Sequence, residues 1–113
     1  MAICPIAIEL PRITQIELMR RALNGHPNEV CGYITKRGEI VDVPNTFDGD
    51  RKHGFDMEID LDAPISKIWH SHPTGPIHPS IDDIPAMEAL STHGSKFPWV
   101  IVAPGGVTEW IYV

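Results

Sequence analysis

Short runs of alternating hydrophobic and polar residues recur along the chain, and this period of two predicts β-strands with one buried face. The clearest alternation covers residues 55–60, in which three apolar residues are separated by acidic ones. A second covers residues 2–10, where we expect Ile6, Ile8 and Leu10 to share a buried face. Further strands are predicted within residues 29–35, 39–43, 65–70, 99–103 and 107–113.

Two other segments show the three-to-four-residue spacing of an amphipathic helix. The first runs from Pro11 to Asn24, with proline tolerated at its start, and the second covers residues 84–93 and ends at Gly94. The apolar stripe expected on the buried side of the first helix comprises Ile13, Ile16, Met19 and Leu23. That of the second helix comprises Ala86, Met87, Ala89 and Leu90.

Strands and helices of these kinds are interleaved along the chain, with about six strands and two main helices. This order predicts an α/β fold, in which a mixed β-sheet and the helices form a sandwich. The 113 residues are enough for one hydrophobic core without disulfide or metal staples, so residues 1–113 are treated as a single domain.

The most distinctive chemistry lies in the stretch WHSHPTGPIHPSIDD, residues 69–83. Residues i and i+2 of a strand point to the same face, so His70 and His72 can present two imidazoles to one side at a strand end. The prolines that follow force the chain into a loop, which brings Asp83 to the start of the next helix. Two imidazoles and a carboxylate make a three-ligand metal site, and an open fourth position is typical of catalytic zinc.

Ser80 and Asp83 also fit S-x-x-D, the capping box of a helix start, which needs no metal. Under this interpretation Pro85 would occupy the fifth helical position, where a backbone N–H is normally required. A helix that begins nearer Asp83 avoids that conflict but leaves Ser80 outside the cap. Because His-x-His alone is a weak signal, the metal-site hypothesis depends on the whole combination.

A water activated by a metal needs a general base, and Glu29 is the best candidate. It lies between the first helix and a predicted buried strand, where an unpaired carboxylate is costly. A solvated glutamate at a strand start would have the same sequence, so the residues alone leave both interpretations open. Asp82, next to Asp83, is a further carboxylate that could replace it as a ligand.

Charge and composition narrow the range of partners. The formal net charge is −6, and no run of lysine or arginine is longer than two, which argues against nucleic acid. No apolar run is long enough to span a membrane, and the first residues lack the basic region of a signal peptide. Cys4 and Cys31 do not form a C-x-x-C pair, so we expect a reduced, cytoplasmic chain with two buried thiols.

Taken together, these residues resemble a JAMM/MPN-domain metallopeptidase. The family pattern is an upstream glutamate followed by H-x-H-x7-S-x2-D, and the matching positions are Glu29, His70, His72, Ser80 and Asp83. The resemblance extends to residues 27–32, Asn45, Phe55 and residues 108–110, so it covers most of the chain. It implies the sandwich of the MPN and cytidine-deaminase-like folds.

The resemblance also implies a role for each motif residue. His70, His72 and Asp83 would bind one zinc ion per chain. Glu29 would act as the general base on a zinc-activated water, and Ser80 would donate a hydrogen bond to the oxyanion. His78 lies in the loop but is not a motif position, and we expect it to be exposed.

The family includes deubiquitinating isopeptidases, sulfur-carrier-processing peptidases, phage tail peptidases and inactive scaffolds. This compact chain resembles a prokaryotic or phage-type member most closely, acting in the cytoplasm of the cell or of the phage host. The implied substrate is a peptide or protein. Examples are a ubiquitin-like or sulfur-carrier tail ending in Gly-Gly and a phage tail protein. A homodimer is compatible with the sequence. The alternative is a phage tail assembly or other binding module that keeps the metal site without needing catalysis.

Overall fold

A computed structural model describes residues 3–60, 62–92 and 97–113. Across these residues it has six strands and two helices, which confirms the predicted α/β class. Their bounds are β1 Ile3–Ile6, α1 Arg12–Gly25, β2 Cys31–Thr35, β3 Ile40–Val43, β4 Ile65–Ser71, α2 Ile84–Thr92, β5 Trp99–Ala103 and β6 Gly106–Tyr112.

The strands form one mixed sheet in the order β1-β6-β5-β4-β2-β3. Strands β4 and β5 run parallel, and the other neighbouring pairs are antiparallel. A parallel pair needs a crossover connection, and α2 supplies it between β4 and β5. The carboxyl ends of these two strands therefore lie side by side at one end of the sheet.

Each face of the sheet carries its own apolar core, because successive residues of a strand point to opposite sides. On one face Val100 packs with Leu18 of α1. On the other face its neighbour Trp99 packs with Met87 of α2. The sheet is thus the middle layer between two helices, as the predicted sandwich requires.

Residues 55–60 do not form the strand that their alternation predicts, so that prediction is wrong. The alternation itself is present: Phe55, Met57 and Ile59 are half-buried against the α2-side core, and the acidic residues between them are exposed. Strand β4, against which they pack, is already paired on both edges by β2 and β5. With no free edge to join, the extended segment lies over the face of the sheet.

The buried side of α1 is also not the predicted one. Leu18 is fully buried and Ala22 packs against the same core, whereas Ile13 and Leu23 are 73% and 75% exposed. Spacing identifies an apolar stripe but not the side of the helix that meets the sheet. Here the small Ala22 and the single Leu18 make that contact, and the wider stripe faces outward.

The first strand is shorter than predicted and lies at an edge of the sheet, paired only with β6. Ala2 lies outside the described residues. Ile6 and Ile8 are exposed instead of buried: Ile6 ends the edge strand, and Ile8 lies beyond it, where the chain has left the sheet to reach α1. Leu10 alone of the predicted three packs against a core, on the α1 side.

The helix starts and ends agree with the sequence where they are described. Pro11 precedes α1, and α2 begins at Ile84 and buries Met87, although Ala86 and Ala89 are exposed. The predicted end of α2 at His93 and Gly94 lies outside the described residues. Neither helix of the described part has the length and apolar character needed to cross a bilayer.

Candidate metal centre

The end of β4 positions the two histidines. His70 is the last but one residue of the strand and is paired with Cys31 of β2 and Ile101 of β5. The ladder continues beyond the strand, because the His72 N–H donates to the Val102 carbonyl at 2.9 Å. Alternation then places both imidazoles on the α2 side of the sheet, where both are buried.

Asp83 completes a close triangle with the imidazoles. The His70 and His72 Nε2 atoms lie 3.0 Å apart, and each lies 3.1 Å from the Asp83 Oδ2 atom. Asp83 immediately precedes α2, and its carbonyl accepts the Met87 N–H. The helix therefore begins near Asp83, which leaves Pro85 in the first turn, where no helical N–H partner is needed.

The capping interpretation of Ser80 and Asp83 is partly realised. The Ser80 N–H donates to the Asp83 carboxylate at 2.8 Å, which is one bond of a capping box. Ser80 nevertheless lies four residues before α2 and is not its cap. The same carboxylate oxygen thus accepts the Ser80 N–H and faces both imidazoles.

Glu29 is the second carboxylate near the histidines. Its side chain and the two imidazoles offer ligand atoms that all lie within 4.8 Å of one another. Glu29 is only 6% exposed, and among the described residues its Oε1 atom has no hydrogen-bond partner. The interpretation of Glu29 as a solvated residue at a strand start is therefore wrong.

Burial and charge decide how these groups titrate. Desolvation raises the pKa of Glu29 to about 7, with His72 lowering it and Asp83 raising it further. Burial alone would raise the pKa of Asp83, but hydrogen bonds from His70 and His72 hold it well below its usual value. Burial lowers the pKa of His70, whereas the bonds of His72 to Asp83 and Pro76 outweigh burial and raise its pKa.

The proline loop fixes the ring of His72. The Nδ1 atom of His72 lies 2.9 Å from the Pro76 carbonyl, a bond that leaves Nε2 free to face Asp83. The next carbonyl, that of Ile77, accepts from the Thr108 hydroxyl and from the Trp110 indole N–H of β6. Strand β6 thereby holds the loop in place, a role that the sequence pattern did not assign to Thr108 or Trp110.

Asn45 fixes the backbone on the other side of the site. Its side-chain amide donates to the Glu29 and Gly54 carbonyls, and its oxygen accepts the Phe47 and Asp56 N–H groups at 3.1 Å. Ser71, between the two histidines, accepts the Val30 N–H through its hydroxyl. Phe55 stacks on the His70 ring at 4.4 Å. The family resemblance includes Asn45 and Phe55, but no pattern in the sequence indicated that these residues or Ser71 position the site.

The remaining candidate residues lie around the triangle. Ser80 is half-buried and lines a cavity of about 160 Å³ with Glu29, His72 and the exposed Asp82. His78 is exposed, as expected. Cys31 is buried, and desolvation followed by the Glu29 charge raises its pKa to about 12; Cys4 is half-buried instead of buried.

A family model described as prokaryotic homologs of the JAB domain matches residues 11–112. The chain belongs to this family. The resemblance to JAMM/MPN domains is thereby confirmed, and the six-stranded sandwich agrees with a JAB fold. No curated protein matches the chain.

The donor set of this JAB domain suits a metal ion. Two imidazole nitrogens and a carboxylate oxygen are typical zinc ligands, and tetrahedral zinc with bonds of ~2.0–2.1 Å would space them ~3.3 Å apart. The observed spacings of 3.0–3.1 Å are close to that requirement. The unpartnered Glu29 oxygen beside the triangle is the further polar atom that an occupied site would employ.

Proposed function

We propose that this JAB domain is a zinc-dependent metallopeptidase that hydrolyses a peptide or isopeptide bond. His70, His72 and Asp83 would hold the zinc, on the strength of the 3.0–3.1 Å triangle formed by their ligand atoms. The observation that carries the proposal is Glu29, a buried carboxylate with an unpartnered oxygen beside that triangle. A purely structural metal site has no need of such a group, since its coordination is closed by its own ligands.

Zinc bound there would supply a Lewis acid and lower the pKa of a water to about 7. Glu29 would then take the proton of the attacking water and pass it to the leaving amine. Burial raises the pKa of Glu29 in the metal-free protein, and a bound cation would lower it again, so that the carboxylate is charged and able to accept a proton.

Ser80 would assist on the substrate side. It lines the same cavity as Glu29 and His72, and its backbone is fixed by the bond from its N–H to Asp83. From this position its hydroxyl would donate to the oxygen on which negative charge develops. Removal of such a donor costs roughly 100-fold to 1,000-fold in kcat in other hydrolases.

The substrate that we propose is a peptide or protein chain, with the tail of a ubiquitin-like or sulfur-carrier protein and a phage tail protein as the classes to try first. The 160 Å³ cavity beside Glu29 has room for a backbone segment but not for a folded domain.

The test compares zinc-loaded wild type with Glu29→Gln on a pool of quenched fluorescent peptides and on isopeptide-linked lysine substrates. We expect Glu29→Gln to retain about one zinc per chain and to lose roughly 100-fold to 10,000-fold in turnover, the range for loss of a general base. Glu58→Gln, which changes an exposed glutamate, is the matched control and should cleave like wild type.

Equal turnover by Glu29→Gln and wild type would show that Glu29 is not the base. A wild-type protein that binds zinc and cleaves none of the probes would favour the alternative function, a binding or assembly module that keeps the metal site.

A further inference from the structure

A second cavity, of about 280 Å³, adjoins the metal centre on the side of α1. Its walls come from the C-terminal half of α1, from the end of β5 and from the start of the proline loop. Apart from two histidines the lining is apolar, and it consists of Met19, Ala22, Leu23, His26, His72, Pro73, Val102, Ala103 and Pro104. We call it the apolar cavity.

The apolar cavity opens beyond the carboxyl ends of β4 and β5. His72 and Pro73 follow β4, and Pro104 follows β5. These two strands are the one parallel pair of the described sheet, so the cavity lies at the end where both of them finish.

His72 and Pro73 line both the apolar cavity and the polar cavity that contains Glu29 and Ser80. The two spaces therefore share a wall at the metal centre. An extended peptide advances ~3.3–3.6 Å per residue, so one that has a carbonyl in the polar cavity passes over Pro73 within one or two residues. A neighbouring side chain then reaches the apolar cavity.

Leu23 presents apolar surface to solvent at this cavity. It is 75% exposed at the rim, and Met19 beside it is 38% exposed. Burial of such surface is favourable by roughly 25 cal/mol per Å². A charged side chain would lose its hydration there, and the ring nitrogens of His72 already face Pro76 and Asp83. The chemistry of the walls therefore selects an aliphatic or aromatic group.

We propose that the apolar cavity is a specificity subsite for one aliphatic or aromatic side chain of the substrate, within two residues of the scissile bond. The inference rests on the proposed function and adds the substrate class to it. A volume of about 280 Å³ lies just below the ~300–1,000 Å³ of small-molecule pockets and suits one side chain. A tail with Gly-Gly at these positions would leave the subsite empty.

The first test measures binding without catalysis. Zinc-loaded protein is titrated with N-acetyl-leucinamide and with N-acetyl-asparaginamide, a polar probe of similar shape, and backbone amide resonances are followed by NMR. The leucine probe should bind in the millimolar range, as its small size allows, and move the signals of Ala22, Leu23 and Ala103. The asparagine probe should bind at least roughly 10-fold more weakly.

Two exposed residues of α1 supply a matched pair of variants. Leu23→Asp puts a charge at the rim and should abolish the leucine-dependent shifts. Ile13→Asp changes a residue that is equally exposed, at 73%, but does not line the cavity, and should leave them intact. Equal binding of both probes, shifts outside the cavity, or unchanged binding by Leu23→Asp would overturn the subsite.

The second test uses cleavage and separates the two proposals. Among peptides that wild type cleaves, leucine or phenylalanine beside the scissile bond should raise kcat/KM roughly 10-fold to 100-fold over aspartate, and Leu23→Asp should remove that preference. Cleavage without any such preference would overturn the subsite and leave the peptidase standing. Leucine binding in the cavity without cleavage of any peptide would overturn the peptidase, and with it the place of this cavity beside a scissile bond, and would leave only a binding site for an apolar side chain.

Discussion

Two groups of charged side chains are buried in this domain, and they differ in how completely they are paired. Lys67 of β4 and Glu109 of β6 form an ion pair with a 2.6 Å N–O distance on the α1 side of the sheet. The second oxygen of Glu109 accepts the Glu9 N–H, so both of its oxygens are used. In the metal centre, by contrast, an oxygen of Glu29 and the Nδ1 atom of His70 have no partner among the described residues.

The difference is the one expected between a structural group and the proposed catalytic site. A buried charge without partners is destabilising, and both oxygens of Glu109 have a partner. In the metal centre one oxygen of Glu29 has no partner among the described residues, and the ligand atoms of His70, His72 and Asp83 lie within 3.0–3.1 Å of one another. We infer that the stability lost there is connected with the proposed catalytic role of the site.

The largest effect that would test this contrast is expected from Asp83→Asn. An amide keeps the size of the side chain but removes the charge, so zinc affinity should fall by more than the roughly 10–100-fold typical of losing a ligand-orienting partner. Competition with a chelator measures it. Asp82→Asn, the exposed neighbour, is the control; zinc loss in that variant instead would mean that Asp82 is the ligand.

The next effect concerns the buried ion pair of Lys67 and Glu109. Lys67→Met leaves the Glu109 charge buried alone and should lower the free energy of unfolding by roughly 3 kcal/mol, as seen when one partner of a buried pair is removed. Urea unfolding gives the value, and zinc binding should not change. A second substitution, Glu109→Leu, should restore most of the loss; if the single variant is as stable as wild type, the pair contributes nothing.

The smallest effect is a pH dependence in the metal-free protein. The pKa of Glu29 is raised from 4.5 to about 7, so folding disfavours its charged form. The penalty is therefore absent below about pH 4.5, grows as the pH rises from about 4.5 to about 7, and stays constant above that. Glu29→Gln removes that penalty and should be more stable than wild type at pH 8, by up to about 3 kcal/mol, but by less than about 1 kcal/mol at pH 5.

Urea unfolding in chelator at the two pH values measures this difference. The comparison at each pH cancels the titration of groups that both proteins share. A stability gain that is the same at pH 5 and pH 8 would show that Glu29 does not change its charge in this range.

The sequence predicted those parts of the site that follow local rules. The two-residue period of a strand is sufficient to bring His70 and His72 together, and Pro85 favours a start of α2 near Asp83 over one at Ser80. The support for the site is tertiary: Thr108 and Trp110 reach the Ile77 carbonyl from about 30 residues away in sequence. No local pattern specifies such a contact.

The predictions about the fold that were wrong also failed because they depended on tertiary contacts. The apolar stripe of α1 and the alternation of residues 55–60 are both present in the structure. The prediction was wrong about which side of α1 is buried and about the pairing of residues 55–60 in the sheet. The side of α1 that meets the sheet depends on the fit of Leu18 and Ala22 to β5 and β6. Whether an extended segment becomes a strand depends on a free sheet edge, which is decided by strands elsewhere in the chain.

The pairing of β1 with β6 has a consequence for how the protein folds. Ile3 lies opposite Tyr112, so this pair closes a loop of roughly 100 residues. During synthesis on the ribosome, β1 has no strand to join until β6 has emerged. Contacts so distant in sequence slow folding, and we expect the docking of β1 to be among the last steps, after β2, β3 and β4 have joined through shorter connections.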